Sequence, residues 1–298
     1  AIANACSKVL ESIIYKYVAT IDGCITDDPH QFGFKRGHST DICTYVLKNT
    51  VRYYTLRNSH VFSCFVDFNK AFDNVDYWLL FSKMYDMFLD AKAKCFIRLL
   101  ACWYSTQTTF VRWQNAESVS FSIANGVRQG GILSPFVVRI YIRDLITCIT
   151  SLRLGCNVAG TMINLLCFAD DMVLLAPSWS GLQFLIDKLH QAAIEIYMTF
   201  NVSKTVCMVF KPMNRRYIIC DHFPAFSANG QILTFVAQFK YLGHVISNDL
   251  RDDEDIKREI KASLTRCNIL SSRFKRCSRL DLSRYDYFRR IVRLFGSA

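Results

Sequence analysis

The chain has 298 residues, 51% of them hydrophobic, which is enough to build a core and excludes an intrinsically disordered protein. Its formal charge of +11, from 36 basic and 25 acidic residues, points to a polyanionic partner, nucleic acid before an acidic membrane surface. Thirteen cysteines without a Cys-x-x-Cys pair read as free thiols of an intracellular protein, in nucleus and cytoplasm, and no apolar run approaches the length that crosses a bilayer. Cys220 and His222 are the only close Cys/His neighbours, too few for a zinc site. The start at Ala1 without methionine reads as a segment of a longer polyprotein.

In chain order, Val9, Leu10, Ile13, Ile14, Tyr17 and Val18 recur at helical spacing and predict an amphipathic helix over residues 2–18. Gly33, Lys35, Arg36 and Gly37 make a basic turn before a helix over 41–56, capped by Ser39 or Thr40. Val61, Phe62, Cys64, Phe65 and Val66 form an apolar strand that runs into Asp67. Helices are expected over 78–89 and 91–103, then a hairpin from the alternating stretches 107–113 and 118–123. A glycine loop follows, with Gly126, Gln129, Gly130 and Gly131, and Ser134-Pro135 signals the N-cap and first turn of a helix to about Thr150. Beyond it stand two buried strands, 163–168 and 172–176, an amphipathic helix over 180–198, and strands over 205–210, 232–236 and 239–247. From Asp252 the chain becomes helical, and residues 271–298 carry eight Lys/Arg against Asp281 and Asp286, more than half of the excess charge.

The stretch LLCFADDMVLL, residues 165–175, is hard to explain structurally. Asp170 and Asp171 sit side by side at the tip of an apolar hairpin without the glycine that tight turns favour. Like charges there repel, and desolvating either is costly unless a cation compensates. Asp67 repeats the pattern at the end of its own apolar strand. Mg²⁺ takes oxygen ligands and keeps waters and phosphates in its shell, so Asp67, Asp170 and Asp171 are enough for a site. Two such ions serve in-line phosphoryl displacement, the chemistry of polymerases and nucleases.

FVDFNKAFDNVD (65–76), NGVRQGGILSP (125–135), CFADDMVLL (167–175), FNVSKTVCMVF (200–210) and FKYLGHVI (239–246) stand in the order and spacing of reverse transcriptase motifs A to E. With QFGFKRGHST (31–40) ahead of them, the chain resembles the reverse transcriptase domain of non-LTR (LINE-type) retrotransposons over about residues 1–250. That resemblance implies a right-hand polymerase of α+β class: a ferredoxin-like palm (61–76 and 126–249), partial helical fingers (1–60 and 77–125) and the start of a helical thumb from 250 to 298. It implies RNA-directed DNA synthesis on an RNA template from a DNA primer with deoxynucleoside triphosphates. Mg²⁺, two ions with Mn²⁺ as an alternative, would be held by Asp67, Asp170 and Asp171. Lys204 would approach the triphosphate and protonate pyrophosphate, and Asp73 and Asp76 would be a supporting residue and a helix cap. Phe68, Phe72, Gln129 and Gly130 would line the nucleotide site, with Phe72 as the steric gate. Phe239, Tyr241, Leu242 and Gly243 would form the primer grip.

Two departures stand out. Arg139 and Arg143 occupy the helix after motif B where the family usually carries an Asn and then an acidic or amide residue, so they either crowd or bind the template. The basic strand pair that precedes the first helix in the family is absent here, and Lys35 and Arg36 are the nearest groups to replace its triphosphate contacts. A catalytically idle nucleic-acid-binding remnant, or a domesticated RNA-binding derivative, would explain both departures. Against it, all three carboxylates and Gln129 are intact. A telomerase or group II intron maturase would share the chemistry, but the motif A wording suits the LINE class better.

Overall fold

A computed structural model describes residues 5–22, 28–35, 37–88, 90–128, 130–212, 214 and 222–274. The chain opens with α1 (Ala5–Asp22) and α2 (Thr40–Thr55), then β1 (Val61–Val66), α3 (Tyr77–Met87) and α4 (Ala91–Ser105). Short strands β2 (Thr108–Thr109), β3 (Arg112–Trp113), β4 (Ala116–Glu117) and β5 (Phe121–Ser122) lead to α5 (Ser134–Tyr141) and α6 (Arg143–Thr150). Next come β6 (Cys156–Val158), β7 (Thr161–Ile163), β8 (Leu165–Phe168), β9 (Asp171–Ala176), α7 (Trp179–Glu195) and β10 (Val206–Phe210). The remainder is β11 (Ser227–Ala228), β12 (Gln231–Ile232), β13 (Thr234–Phe235), β14 (Gln238–Tyr241), β15 (His244–Ser247) and α8 (Asp253–Phe274).

The central sheet runs β13-β10-β1-β9-β8, with β1 antiparallel to both β9 and β10. Taking its four long strands in chain order, the spatial order is fourth, first, third, second, with helices after the first and third. This is the split βαβ arrangement of a ferredoxin-like palm. Successive side chains of a strand point to opposite faces, and here both faces are covered. Phe62, Cys64 and Val66 enter a core with α3, α5, α6 and α7, whereas Val61 and Phe65 enter a second core with Cys43, Leu47 and Val51 of α2. Every residue of β1 is buried, which is why the strand is apolar except at Ser63, whose hydroxyl donates to the Met208 carbonyl at 3.3 Å. Each fully buried aliphatic side chain contributes roughly 1.5–3 kcal/mol before chain entropy is counted.

Several elements differ from the sequence expectation for identifiable reasons. The helix expected over 134–150 breaks at Ile142, beside the Tyr141 carbonyl that accepts from Lys83 on α3 at 3.2 Å. Ser134 is the first helical residue rather than the cap, and its hydroxyl donates to the Arg128 carbonyl at 2.6 Å. The strand expected over 163–168 divides at Asn164, a fully buried amide that donates to the Ile149 and Leu152 carbonyls at the end of α6. The strand expected over 239–247 is a hairpin whose turn, Leu242-Gly243, takes positive φ at both residues (47° and 88°). Cys220 lies outside the described residues, as does the basic stretch beyond 274.

Candidate active site

Asp67 stands one residue past β1. Val66 pairs with Met172, so the same register sets Asp67 opposite Asp171 at the start of β9. The Asp67 backbone is fixed from the other side: its amide donates to Thr205 Oγ1 at 3.2 Å and its carbonyl accepts from the Asn201 amide at 2.8 Å. Thr205 is fully buried, so this anchor is shielded from water. Phe168 pairs with Asp171, leaving Ala169-Asp170 as a two-residue turn with Ala169 at φ +60°. Two chain segments that lie a hundred residues apart thus bring three carboxylates to one edge of the sheet.

The electrostatics match that crowding. Burial, and then the charge of Asp67, raise the Asp170 carboxyl above its ordinary range against a lowering hydrogen bond to its own amide. Burial, with Asp170 and Asp67 adding repulsion, pushes Asp171 up to about 6. Lys204 Nζ lies 4.0 Å from Asp67 Oδ2 on a largely exposed side chain, a position that gives weak screening. Asp67, Asp171, Met172, Lys204, Phe239 and Tyr241 line one cleft of about 350 Å³. An all-oxygen donor set without sulfur or imidazole suits a hard cation. Among the described residues no three His, Cys, Asp or Glu side chains converge enough to hold an ion by themselves. Such an open set fits Mg²⁺, which fills its shell with water and substrate phosphate.

The hairpin of the expected primer grip reaches this cleft through its aromatic residues. The Phe239 ring centroid is 4.9 Å from that of Phe65, and the buried Tyr241 hydroxyl lies 3.6 Å from Cys43 Sγ. Leu242 and Gly243 form its turn. Phe72 lies in the turn after Asp67, half-buried against the main core, and its carbonyl accepts from Val127 of the glycine loop at 2.7 Å. Phe68 is buried with its ring edge-on to Phe200 at 5.4 Å. Gly126 approaches motif A so closely that a Cβ would sit 2.7 Å from the Asp73 carbonyl oxygen. Asp76 caps α3, accepting from the Leu79 amide at 2.8 Å, while Asp73 is exposed. Gly130 is exposed with φ +84°. Lys35 donates to the Asp28 carbonyl. Gln129 and Arg36 lie outside the described residues. Arg139 is half-buried and borders a pocket of about 220 Å³ with Tyr15, Phe34 and Phe136.

Three residues that received no role from the sequence support the site. Thr205 anchors Asp67. Glu11 of α1, only 5% exposed, accepts from the Ile132 amide at 2.6 Å and ties the glycine loop to the first helix. Gln31 accepts from the Ala169 amide at 3.1 Å, inside the turn that presents Asp170. A buried polar residue in an apolar stretch was the available signal for Glu11, but its partner is 121 residues away.

A profile of the family described as reverse transcriptase (RNA-dependent DNA polymerase) matches residues 1–246. The retrovirus-related Pol polyprotein of type-2 retrotransposable element R2DM from Drosophila melanogaster is 29% identical over 232 residues, 75% of this chain and 21% of that protein. The RNA-directed DNA polymerase of mobile element jockey from Drosophila funebris is 25% identical over 281 residues, 90% of this chain and 29% of that protein. The chain thus spans less than a third of the length of these relatives. Apo telomerase from Candida tropicalis superposes with a TM-score of 0.56 at 13% identity, over 82% of this chain and 41% of that one, a likeness of fold alone. Fold, ordered motifs and profile agree: the chain belongs to the reverse transcriptase family, in its non-LTR retrotransposon branch, with an α+β right-hand polymerase fold.

Proposed function

We propose that this chain extends a DNA primer on an RNA template, joining the primer 3′-hydroxyl to the α-phosphate of a deoxynucleoside triphosphate with release of pyrophosphate. The observation that carries this reading is the register that sets Asp67 opposite Asp171, with Asp170 in the adjoining turn, at the mouth of a cleft shared with Lys204. Reverse transcriptases work with divalent metal ions. Here Asp67, Asp170 and Asp171 would hold two Mg²⁺ ions, or Mn²⁺ in their place, which would lower the pKa of the primer hydroxyl and stabilise the leaving group. Asp171 lines the same cleft as Asp67.

The other residues position and select. Lys204, already drawn to the site by Asp67, meets the negative triphosphate and donates a proton to the departing pyrophosphate. Gln129 and Gly130 would serve the incoming nucleotide and templating base, with the missing Cβ of Gly130 allowing close approach. Phe68 supports the nucleotide floor through its backbone, and Phe72 excludes a 2′-hydroxyl. Lys35 and Arg36 reach toward the phosphates, although Lys35 must first leave the Asp28 carbonyl. Phe239, Tyr241, Leu242 and Gly243 hold the primer terminus. Residues 1–60 and 77–125 serve as fingers, 61–76 and 126–249 as palm, and 250–298 begin the thumb. The working protein is a longer retrotransposon product acting in nucleus and cytoplasm. Primer extension on an RNA template in Mg²⁺, run beside Asp170→Asn, tests the proposal: synthesis by the parent and none by the variant is expected, and equal activity overturns it.

A further inference from the structure

The turn that presents Asp170 and Asp171 has an unusual local problem. Ala169 adopts φ +60°, a conformation an alanine holds only when its surroundings over-determine it. The surroundings come from residues 28–33, far away in sequence. This segment lies along β8: the Phe32 amide donates to the Cys167 carbonyl at 2.7 Å, and the Cys167 amide donates to the His30 carbonyl at 2.8 Å. Gln31 pairs with Cys167 in a parallel bridge and is 2% exposed. Its side-chain oxygen accepts from the Ala169 amide at 3.1 Å and from the Gly33 amide at 2.9 Å, and its amide nitrogen lies 3.5 Å from the Ala169 carbonyl. Gly33 closes the bracket, since a Cβ there would stand 2.4 Å from the Ala169 nitrogen and 3.1 Å from the Phe168 carbonyl carbon.

We infer that Gln31 and Gly33 are positioning residues for the catalytic carboxylates: together they fix the left-handed Ala169 and thereby the direction in which Asp170 and Asp171 present their oxygens. The two act by different physics. Gln31 supplies an acceptor shared by the Ala169 and Gly33 amides, and Gly33 supplies the room for the Ala169 amide to approach. The inference rests on the polymerase reading for its effect on turnover but not for its effect on metal affinity. Gln31 therefore touches no substrate and acts through Ala169.

The test uses the full chain with Gln31→Met, which keeps shape and loses the acceptor, Gln31→Glu, which keeps the acceptor oxygen, and Gly33→Ala. Mn²⁺ binding is measured by electron paramagnetic resonance, turnover by primer extension over a Mg²⁺ titration, and duplex affinity separately. Gln31→Met and Gly33→Ala are expected to weaken Mn²⁺ binding several-fold and lower kcat about tenfold to a hundredfold, as sub-ångström misplacement of ligands does. KM for primer–template should stay at the parent value, and Gln31→Glu should recover most of the loss. Folded variants with parent Mn²⁺ affinity and parent Mg²⁺ half-saturation overturn the inference. Hydrogen exchange on the unmodified protein gives a reading independent of folding of the variants: the Ala169 amide is expected to be as protected as those of β8 and β9, and free exchange there overturns the bracket. A parent that binds Mn²⁺ through the Gln31-dependent turn but extends no primer contradicts the polymerase reading alone.

Discussion

At the residue scale, Phe72 illustrates what pattern and geometry each contribute. The resemblance implies that Phe72, five residues after Asp67, is the steric gate. In the structure it lies in a turn rather than in α3, with its carbonyl engaged by Val127 and its ring half-buried. A ribonucleotide would have to displace that ring or bury a hydroxyl without a partner, a penalty of roughly 1–3 kcal/mol or about ten- to a hundredfold in selectivity. Phe72→Ala is expected to raise ribonucleotide use relative to deoxynucleotide use in matched single-nucleotide kinetics. An unchanged ratio in a folded variant assigns Phe72 to packing.

Asp171 makes a second residue-scale prediction, and its sign follows from its raised carboxyl. With a folded value of about 6 against an ordinary carboxyl value of 3.8, the fold favours the protonated form. The contribution is fully present below about pH 4 and is lost as pH rises through about 6. In chelator, Asp171→Asn should therefore raise Tm at pH 7–8, with the gain disappearing below pH 4, and saturating Mg²⁺ should stabilise the parent more than the variant. Thermal unfolding across pH in chelator checks this. A variant less stable than the parent at pH 8 without metal would show that crowding of the carboxylates is not what strains the site.

At the element scale, the central strands are legible as apolar runs, β1 leading into Asp67, β8 leading toward Asp170 and β9 leading away from Asp171. The breaks are not. Nothing in FVVRIYIRDL announces that a lysine on α3 will take the Tyr141 carbonyl, and Asn164 reads as an ordinary polar residue until α6 supplies its partners. The catalytic turn behaves the same way, since Ala169 is unremarkable in sequence and is specified from Gln31, 138 residues away. Asp67, Asp170 and Asp171 stand out in the sequence as carboxylates set against apolar runs, and the strand register brings them to one end of the sheet. Thr205, Glu11 and Gln31 do not stand out, because only tertiary contacts give them work.

The junction of α8 with the primer-grip hairpin belongs to the same scale. Acidic residues in the first turn of α8 suit the helix dipole, and Asp255 also accepts from the Val245 amide at 2.8 Å and from Arg258 Nε at 2.8 Å. His244 bridges Asp255 (3.1 Å) and Asp41 of α2 (2.8 Å). Burial alone would raise the Asp255 carboxyl, yet these hydrogen bonds outweigh it and hold it at about 2. A depressed acid stabilises above its unfolded pKa and loses that contribution as pH falls through its folded one. Asp255→Ala should accordingly cost stability above pH 4, with the cost shrinking between pH 4 and pH 2. Denaturant unfolding at several pH values measures it, and a pH-independent difference would assign the loss to packing instead.

At the scale of the whole molecule, two cores on opposite faces of one sheet hold α2, the central strands and the β14–β15 hairpin beside the cleft lined by Asp67, Asp171 and Lys204, while basic charge accumulates at the far end of the sequence. Each neutralised phosphate adds roughly −0.9 to the log–log salt slope on a B-form duplex. Deleting residues 271–298 should flatten that slope for primer–template binding, and an unchanged slope would put the electrostatic surface elsewhere. The central claim is that the three carboxylates drive chemistry rather than hold nucleic acid. Its most direct test is to measure primer extension and duplex affinity together for Asp67→Asn and Asp170→Asn in Mg²⁺. Each substitution removes a metal ligand and a charge that repels phosphate, so the account predicts synthesis abolished with duplex binding retained or tightened. Extension within a few-fold of the parent by either variant would contradict it.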